Sequence, residues 1–194
     1  MRTVLSSIES EFRRYQRLGE ESLRQLDAEA LVRQPPGDGN SVAAIVWHIA
    51  GNLRSRFTDF LTTDGEKPWR DRDAEFEART VTQPVTVARW QQGWAVVLPA
   101  LAGLRDIDLP RHVTVRGQKL TVLEAVSRAL AHTAYHVGQI VFLGKMWRDQ
   151  QWQCLSIPRG ASKTYNANPR SEKPSAHAAH LQSIQPPPTT TSSS

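Results

Sequence analysis

The sequence holds a single cysteine, Cys154, so no disulfide can form within one chain, and the usage fits a reducing compartment. Long apolar runs are missing too. Nowhere do about 18 apolar residues follow one another as a membrane-spanning helix requires. The opening "MRTVLSSIESEFRRYQ" has no apolar core of the signal-peptide kind, so a cytoplasmic protein without membrane contact is expected. A basic face is also absent. Of 24 basic and 19 acidic residues, four basic and one acidic lie from Arg159 onward, which leaves 20 and 18 in the body of the chain. Signs are intermixed there, as in "RSRFTDF" and "EKPWRDRDAEFEAR", whereas phosphate neutralisation needs clustered Lys and Arg, so nucleic acid is not an expected partner.

What the sequence does contain is helical periodicity. Leu5, Ile8, Phe12, Tyr15, Leu23 and Leu26 recur at three- and four-residue steps and predict a first helix over 3–27. "QPPGDGN" interrupts the pattern, and Asn40 or Ser41 can cap a second helix over 42–62, striped by Val42, Ile45, Val46, Ile49, Leu53, Phe57 and Phe60. The polar stretch 63–82 is too long for a simple turn and reads as a functional loop or local extra structure. A third helix opens near Pro84 and closes around Gly103. "HVTVRGQKLTV" alternates side chains about Arg116-Gly117 and predicts a small hairpin or extended connection over 112–120. "TVLE" has capping-box spacing, with Thr121 as cap of a fourth helix that runs to about Trp147.

Four long amphipathic helices with almost no strand imply helix-on-helix packing, because each apolar stripe must be covered by the others. The expected fold is an all-α four-helix bundle over 1–160. From 161 to 194 the sequence is polar and low in complexity, with "QPPPTTTSSS" at its end, and is expected to be a disordered tail. His177 and His180 fall there and are discounted as ligands.

"HTAYH" sets His132 and His136 four residues apart, on one face of the fourth helix and about 6 Å apart along its axis. His48 borders the apolar stripe of the second helix. Three imidazoles at core borders each need a polar partner, and one metal ion bound by all three would satisfy them together. Three separately hydrogen-bonded or core-edge histidines are the other reading.

The pieces "SVAAIVWHIAGNL" and "LAHTAYHVGQIVFLGK" resemble the two signatures of the DinB/YfiT-like metal-binding helical bundles. "SRFTDFLTTDGEKPWRDRDAEF" and "LSIPRGASKTYN" are similar to an uncharacterised bacterial branch of that superfamily, and the match covers roughly residues 1–167. The resemblance implies a four-helix bundle, often dimeric, whose histidine triad, here His48, His132 and His136, surrounds a divalent metal. Characterised relatives include thiol transferases that use bacillithiol or mycothiol, and a mycothiol-dependent isomerase. There is no HExxH pattern, so a glutamate base beside the metal is not indicated.

Three neutral imidazoles leave an ion its charge and an open position, which suits activation of water or of a thiol as the nucleophile, with no side chain assigned as catalytic. Zinc or nickel suits such a donor set, and iron or manganese is an alternative. The expected activity is a metal-dependent thiol S-transferase or related hydrolase acting on a small thiol and a small electrophile. The rival reading is a non-enzymatic, metal-stapled bundle acting as a stress-related interaction protein. Asn52, one turn after His48, is a candidate support residue, and Arg54, Arg56 and Arg159 are candidate contacts for a substrate anion. The loops "DGEKPWRDRD" and "SIPRGASKTYN" are candidate lids. Cys154 is expected to be structural.

Overall fold

The computed structural model describes residues 2–184. Its long helices are α1 (Thr3–Arg24), α3 (Val42–Phe57), α4 (Gln83–Trp94) and α6 (Val122–Arg148), joined by short helices α2 (Ala28–Val32) and α5 (Val97–Ala102). α1 packs against α4 and α6, and so does α3, which makes a four-membered ring with α1 diagonal to α3. The expected all-α bundle is therefore the observed fold.

Local chemistry explains each boundary. The Ser41 hydroxyl accepts the Ala44 N–H at 3.2 Å and starts α3. α3 stops at Phe57, short of the expected residue 62, because Thr58 turns extended and Asp59 takes a left-handed φ of 49°, a conformation that aspartate tolerates better than most residues. The third predicted helix is broken between Trp94 and Val97. Pro99 lacks an N–H and its ring would clash with the Ala95 carbonyl of a continuous helix, so α5 begins afresh. α2 is an element the periodicity did not predict, capped by Asp27, whose carboxylate accepts the Ala30 N–H at 2.9 Å. At α6 both halves of the capping box form: Glu124 N–H donates to Thr121 Oγ1 at 3.1 Å, and Thr121 N–H to Glu124 Oε2 at 2.7 Å.

The core fills the ring. Phe12 meets Phe57 and Trp94 edge-on with centroids 5.9 and 6.1 Å apart. Trp90 is fully buried, and its indole N–H donates to the Gln16 carbonyl at 3.2 Å. α3 and α4 approach closely at Gly93, where a Cβ would lie 2.6 Å from the Ala50 Cα.

Between α5 and α6 the predicted hairpin forms, with β1 (His112–Val115) antiparallel to β2 (Gln118–Thr121) and Val115 paired with Gln118. Arg116 and Gly117 both have positive φ, 55° and 71°, as a two-residue type I′ turn needs. The long 58–82 connection is tied to this hairpin. Asp64 accepts the Arg116 and Gly117 N–H groups, each at 2.8 Å, and Gly65 N–H donates to the Thr114 carbonyl at 2.7 Å. The Glu66 N–H, which donates to Asp64 at 2.7 Å, and then the Gly117 and Arg116 N–H groups hold the Asp64 carboxyl below the usual carboxylate range.

The segment after residue 161, expected to be disordered, forms α7 (Ser162–Ala167) and α8 (Pro174–Ser183), and α8 lies against α1. Leu181 is fully buried, and a His177 ring N–H donates to the Leu155 carbonyl at 2.8 Å. Few apolar residues suffice there because α1 supplies the other half of the contact. The expected low-complexity tract at 185–194 lies outside the described residues. Truncating Leu181→Ala should cost about 2–3 kcal/mol, as for other buried leucines, in urea unfolding of the full chain. A change below about 0.5 kcal/mol would mean that α8 does not stay docked on α1 in solution.

Candidate metal centre

His48 comes from the middle of α3, and His132 and His136 come from successive turns of α6, the helix packed beside it. One ligand nitrogen from each ring lies within 4.8 Å of the others. The Nε2 atoms of His48 and His132 are 3.2 Å apart. Two nitrogens bound to one ion at 2.0–2.1 Å would stand about 3–3.4 Å apart, so this spacing fits a shared metal.

Two of the three remaining ring nitrogens, those of His48 and His136, are held from outside the cluster. His48 Nδ1 is 2.8 Å from Glu75 Oε2, and because a carboxylate only accepts, the Nδ1 carries the hydrogen and Nε2 keeps its lone pair. His136 Nδ1 donates to Gln139 Oε1 at 2.7 Å, which assigns the same tautomer. Outer hydrogen bonds of this kind fix a ligand ring's orientation and raise its basicity. Phe76 lies against the His48 ring with centroids 4.8 Å apart.

Glu75 and Gln139 were not foreseen. Glu75 lies 27 residues beyond His48, in a single-turn 3₁₀ helix (Ala74–Phe76) of the 58–82 connection. Arg70 grips it with Nε on Oε1 at 2.8 Å and Nη2 on Oε2 at 2.9 Å. Burial pushes the Glu75 carboxyl up, but the hydrogen bonds from Arg70 and His48 outweigh it, and the group is held below the ordinary glutamate value. Space for the carboxylate comes from Gly51, where any Cβ would collide with it. A glycine inside α3, in "HIAGNL", was the sequence signal for a group approaching that helix. Glu75 is not the base beside the metal that an HExxH pattern would have signalled: it serves the cluster as a hydrogen-bond acceptor at the back of His48.

Electrostatics favour the neutral form of His132 and His136. Burial, then the neighbouring His136 and His48 rings and the Arg70 and Arg56 guanidiniums, push His132 down to about 4. Burial likewise lowers His136, against the opposing hydrogen bond to Gln139. Neutral imidazoles are the form that coordinates a metal.

His48 and His132 open onto a cavity of about 350 Å³ between α3, α6, the hairpin and the 58–82 connection. Asn52 lines it, as the sequence suggested. Of the three arginines expected to meet a substrate anion, Arg56 lines the cavity, while Arg54 stacks over Trp69 at 5.2 Å and Arg159 is exposed beyond α6, outside the lining. In a helix, two positions differ by about 200°, so Arg56 faces the cavity where Arg54 does not. Of the two candidate lids, the "DGEKPWRDRD" loop forms part of the cavity wall, through Gly65, Arg70 and Arg72, and "SIPRGASKTYN" contributes nothing to it. Tyr135 is exposed with its ring 4.7 Å from that of His136, and Cys154 lies outside the lining.

A family model described as a protein of unknown function, DUF1572, matches residues 1–161. The chain belongs to the DUF1572 family. No curated protein matches it. The match includes every histidine of the cluster as well as Arg70, Glu75 and Gln139, so the DUF1572 region contains the whole centre, and α7 and α8 lie beyond it. Among the described residues, no helix is long and apolar enough to cross a membrane.

For the metal-free protein, the depressed His132 value sets a pH dependence. An unfolded imidazole takes up a proton near pH 6.5, while the folded one resists to about 4, so the unfolded state binds more protons between those values. Stability should therefore be level above about pH 6.5 and fall as pH drops toward 4. Urea unfolding of chelator-treated protein at pH 7.5 and 5.0 measures it, and His132→Gln should flatten the difference. Equal stability of wild type at both values would refute the burial of a neutral ring.

Proposed function

We propose that this protein binds one divalent metal ion through His48, His132 and His136 and works as a metal-dependent thiol S-transferase or related hydrolase. The observation that carries the reading is the cavity of about 350 Å³ that reaches two of the three imidazoles. A purely stapling ion would sit in a sealed site, whereas a centre open to a pocket admits a reactant. The thiol half of the reading rests on likeness to the DinB/YfiT-like bundles, whose characterised members include thiol transferases. Zinc or nickel matches an all-imidazole donor set.

Such an ion, when bound, supplies Lewis acidity that favours the deprotonated form of a thiol or water reaching it. The chain's own residues do the positioning. Glu75 holds the Nδ1 hydrogen of His48 and thereby directs the Nε2 lone pair inward, while Gln139 does the same for His136. Arg70 fixes both oxygens of Glu75, so the His48 ring cannot tilt without losing a buried hydrogen bond to an anchored carboxylate. Asn52 offers an amide to whatever occupies the cavity, and Phe57 and Phe60 give it an apolar wall that excludes water.

Elemental analysis of the purified protein should find about one divalent ion per chain, with His48→Ala, His132→Ala and His136→Ala each losing it. Glu75→Gln should keep the fold but weaken metal affinity by about 10–100-fold, the usual effect of removing an outer hydrogen-bond partner. Full occupancy in all three histidine variants would sink the proposal.

Cobalt substitution separates a thiol-handling centre from a staple. A low-molecular-weight thiol added to the cobalt protein should produce a sulfur-to-cobalt charge-transfer band. Cys154→Ser should keep that band and His132→Ala should lack it. Bound cobalt whose spectrum ignores every thiol would leave water activation or stapling as the better account.

A further inference from the structure

The same cavity carries a second signal, in its charges. Arginines 56, 70, 72, 116 and 128 line it, and no aspartate or glutamate does. Three carboxylates answer them from outside the lining: Glu66 serves both Arg56 and Arg116, Glu75 serves Arg70, and Asp73 lies 3.8 Å from Arg72. Arg128 makes no salt bridge among the described residues. The cavity is left with an excess of positive charge.

Arg70 sharpens the argument. Its side chain is only 2% exposed, and its Nε and Nη2 are spent on Glu75, but its Nη1 is buried with no hydrogen-bond partner. An unmet donor on a buried cation is costly, and because Arg70 lines this cavity, a small shift of its guanidinium is enough to offer that donor to an incoming oxygen. Phe57, Phe60 and Leu120 supply apolar surface in the same space.

We infer that the cavity is an oxyanion subsite: it takes a small molecule with a carboxylate or phosphate head and an apolar body. The head lies on the side of the cavity lined by Arg70 and Arg56, and Arg72 and Arg128 draw it in. As an account of the substrate class this rests on the function proposed above. Anion binding itself requires no metal.

The test uses the full chain, once chelator-treated and once zinc-loaded, in isothermal titrations with phenylacetate, phenyl phosphate and benzyl alcohol. At least one acid should bind about tenfold or more tighter than the uncharged alcohol, as expected for a charge-assisted hydrogen bond. The acid that binds more tightly identifies the head as carboxylate or phosphate. The double variant Arg72→Gln/Arg128→Gln alters two exposed side chains and spares the Glu75 ion pair, and it should weaken that acid by about tenfold. Arg70→Lys keeps the charge but loses the planar fork and should weaken it further. If the alcohol binds as tightly as both acids, or the double variant retains wild-type affinity, the inference is overturned. Acid binding by a chain that never takes up metal would defeat only the metal reading, and metal uptake without acid preference would defeat only this one.

Discussion

The buried carboxylate of Glu75 is the constraint on which the rest of the centre depends. It is 4% exposed, so it needs strong donors on both oxygens, and it has them in the Arg70 fork and the His48 Nδ1 hydrogen. Those bonds reach in two directions. Toward α3 they set the tautomer and tilt of a candidate metal ligand. Toward the 58–82 connection they fold an otherwise polar loop down onto the bundle. Gly51 lets the carboxylate come that close, because a side chain there would occupy its place.

With the loop held, the cavity acquires its walls. Asp64 and Gly65 tie the loop to the hairpin, and the hairpin runs directly into α6 through the capped Thr121. Four elements from two distant stretches of chain, 48–72 and 113–132, therefore surround one space next to His48 and His132. The ion pairs around that space differ in worth. Arg70–Glu75 is almost fully buried and couples ligand orientation to loop position, whereas Arg116–Glu66 and Arg72–Asp73 are solvent-exposed pairs that add little to stability but contribute charge to the cavity.

The bundle was legible because helical periodicity, caps and turn residues are local. The stripes of α1, α3 and α6, the Thr121–Glu124 capping box and the Arg116-Gly117 turn were all recognisable from neighbours a few residues apart. The histidines were legible for the same reason: His132 and His136 share a helix face, and His48 borders a core stripe. Breaks inside helices were harder to see, since Pro99 divides the third helix only through a clash with the carbonyl four residues earlier. α8 was missed because its burial depends on the surface of α1 and not on a stripe of its own, Leu181 being its one fully buried apolar side chain.

By itself the sequence determined the long amphipathic helices, the caps of α3 and α6 and the three imidazoles, because each follows from spacing along one or two turns of chain. Only the tertiary structure decided what surrounds those imidazoles. Glu75 reaches His48 across 27 residues, and Arg56 takes the inward position that Arg54 lacks by a rotation of the helix. Arg159 is left outside. No local rule specifies these outcomes, since a loop residue finds its partner only when packing fixes both ends, and a helix face is turned inward by its neighbours.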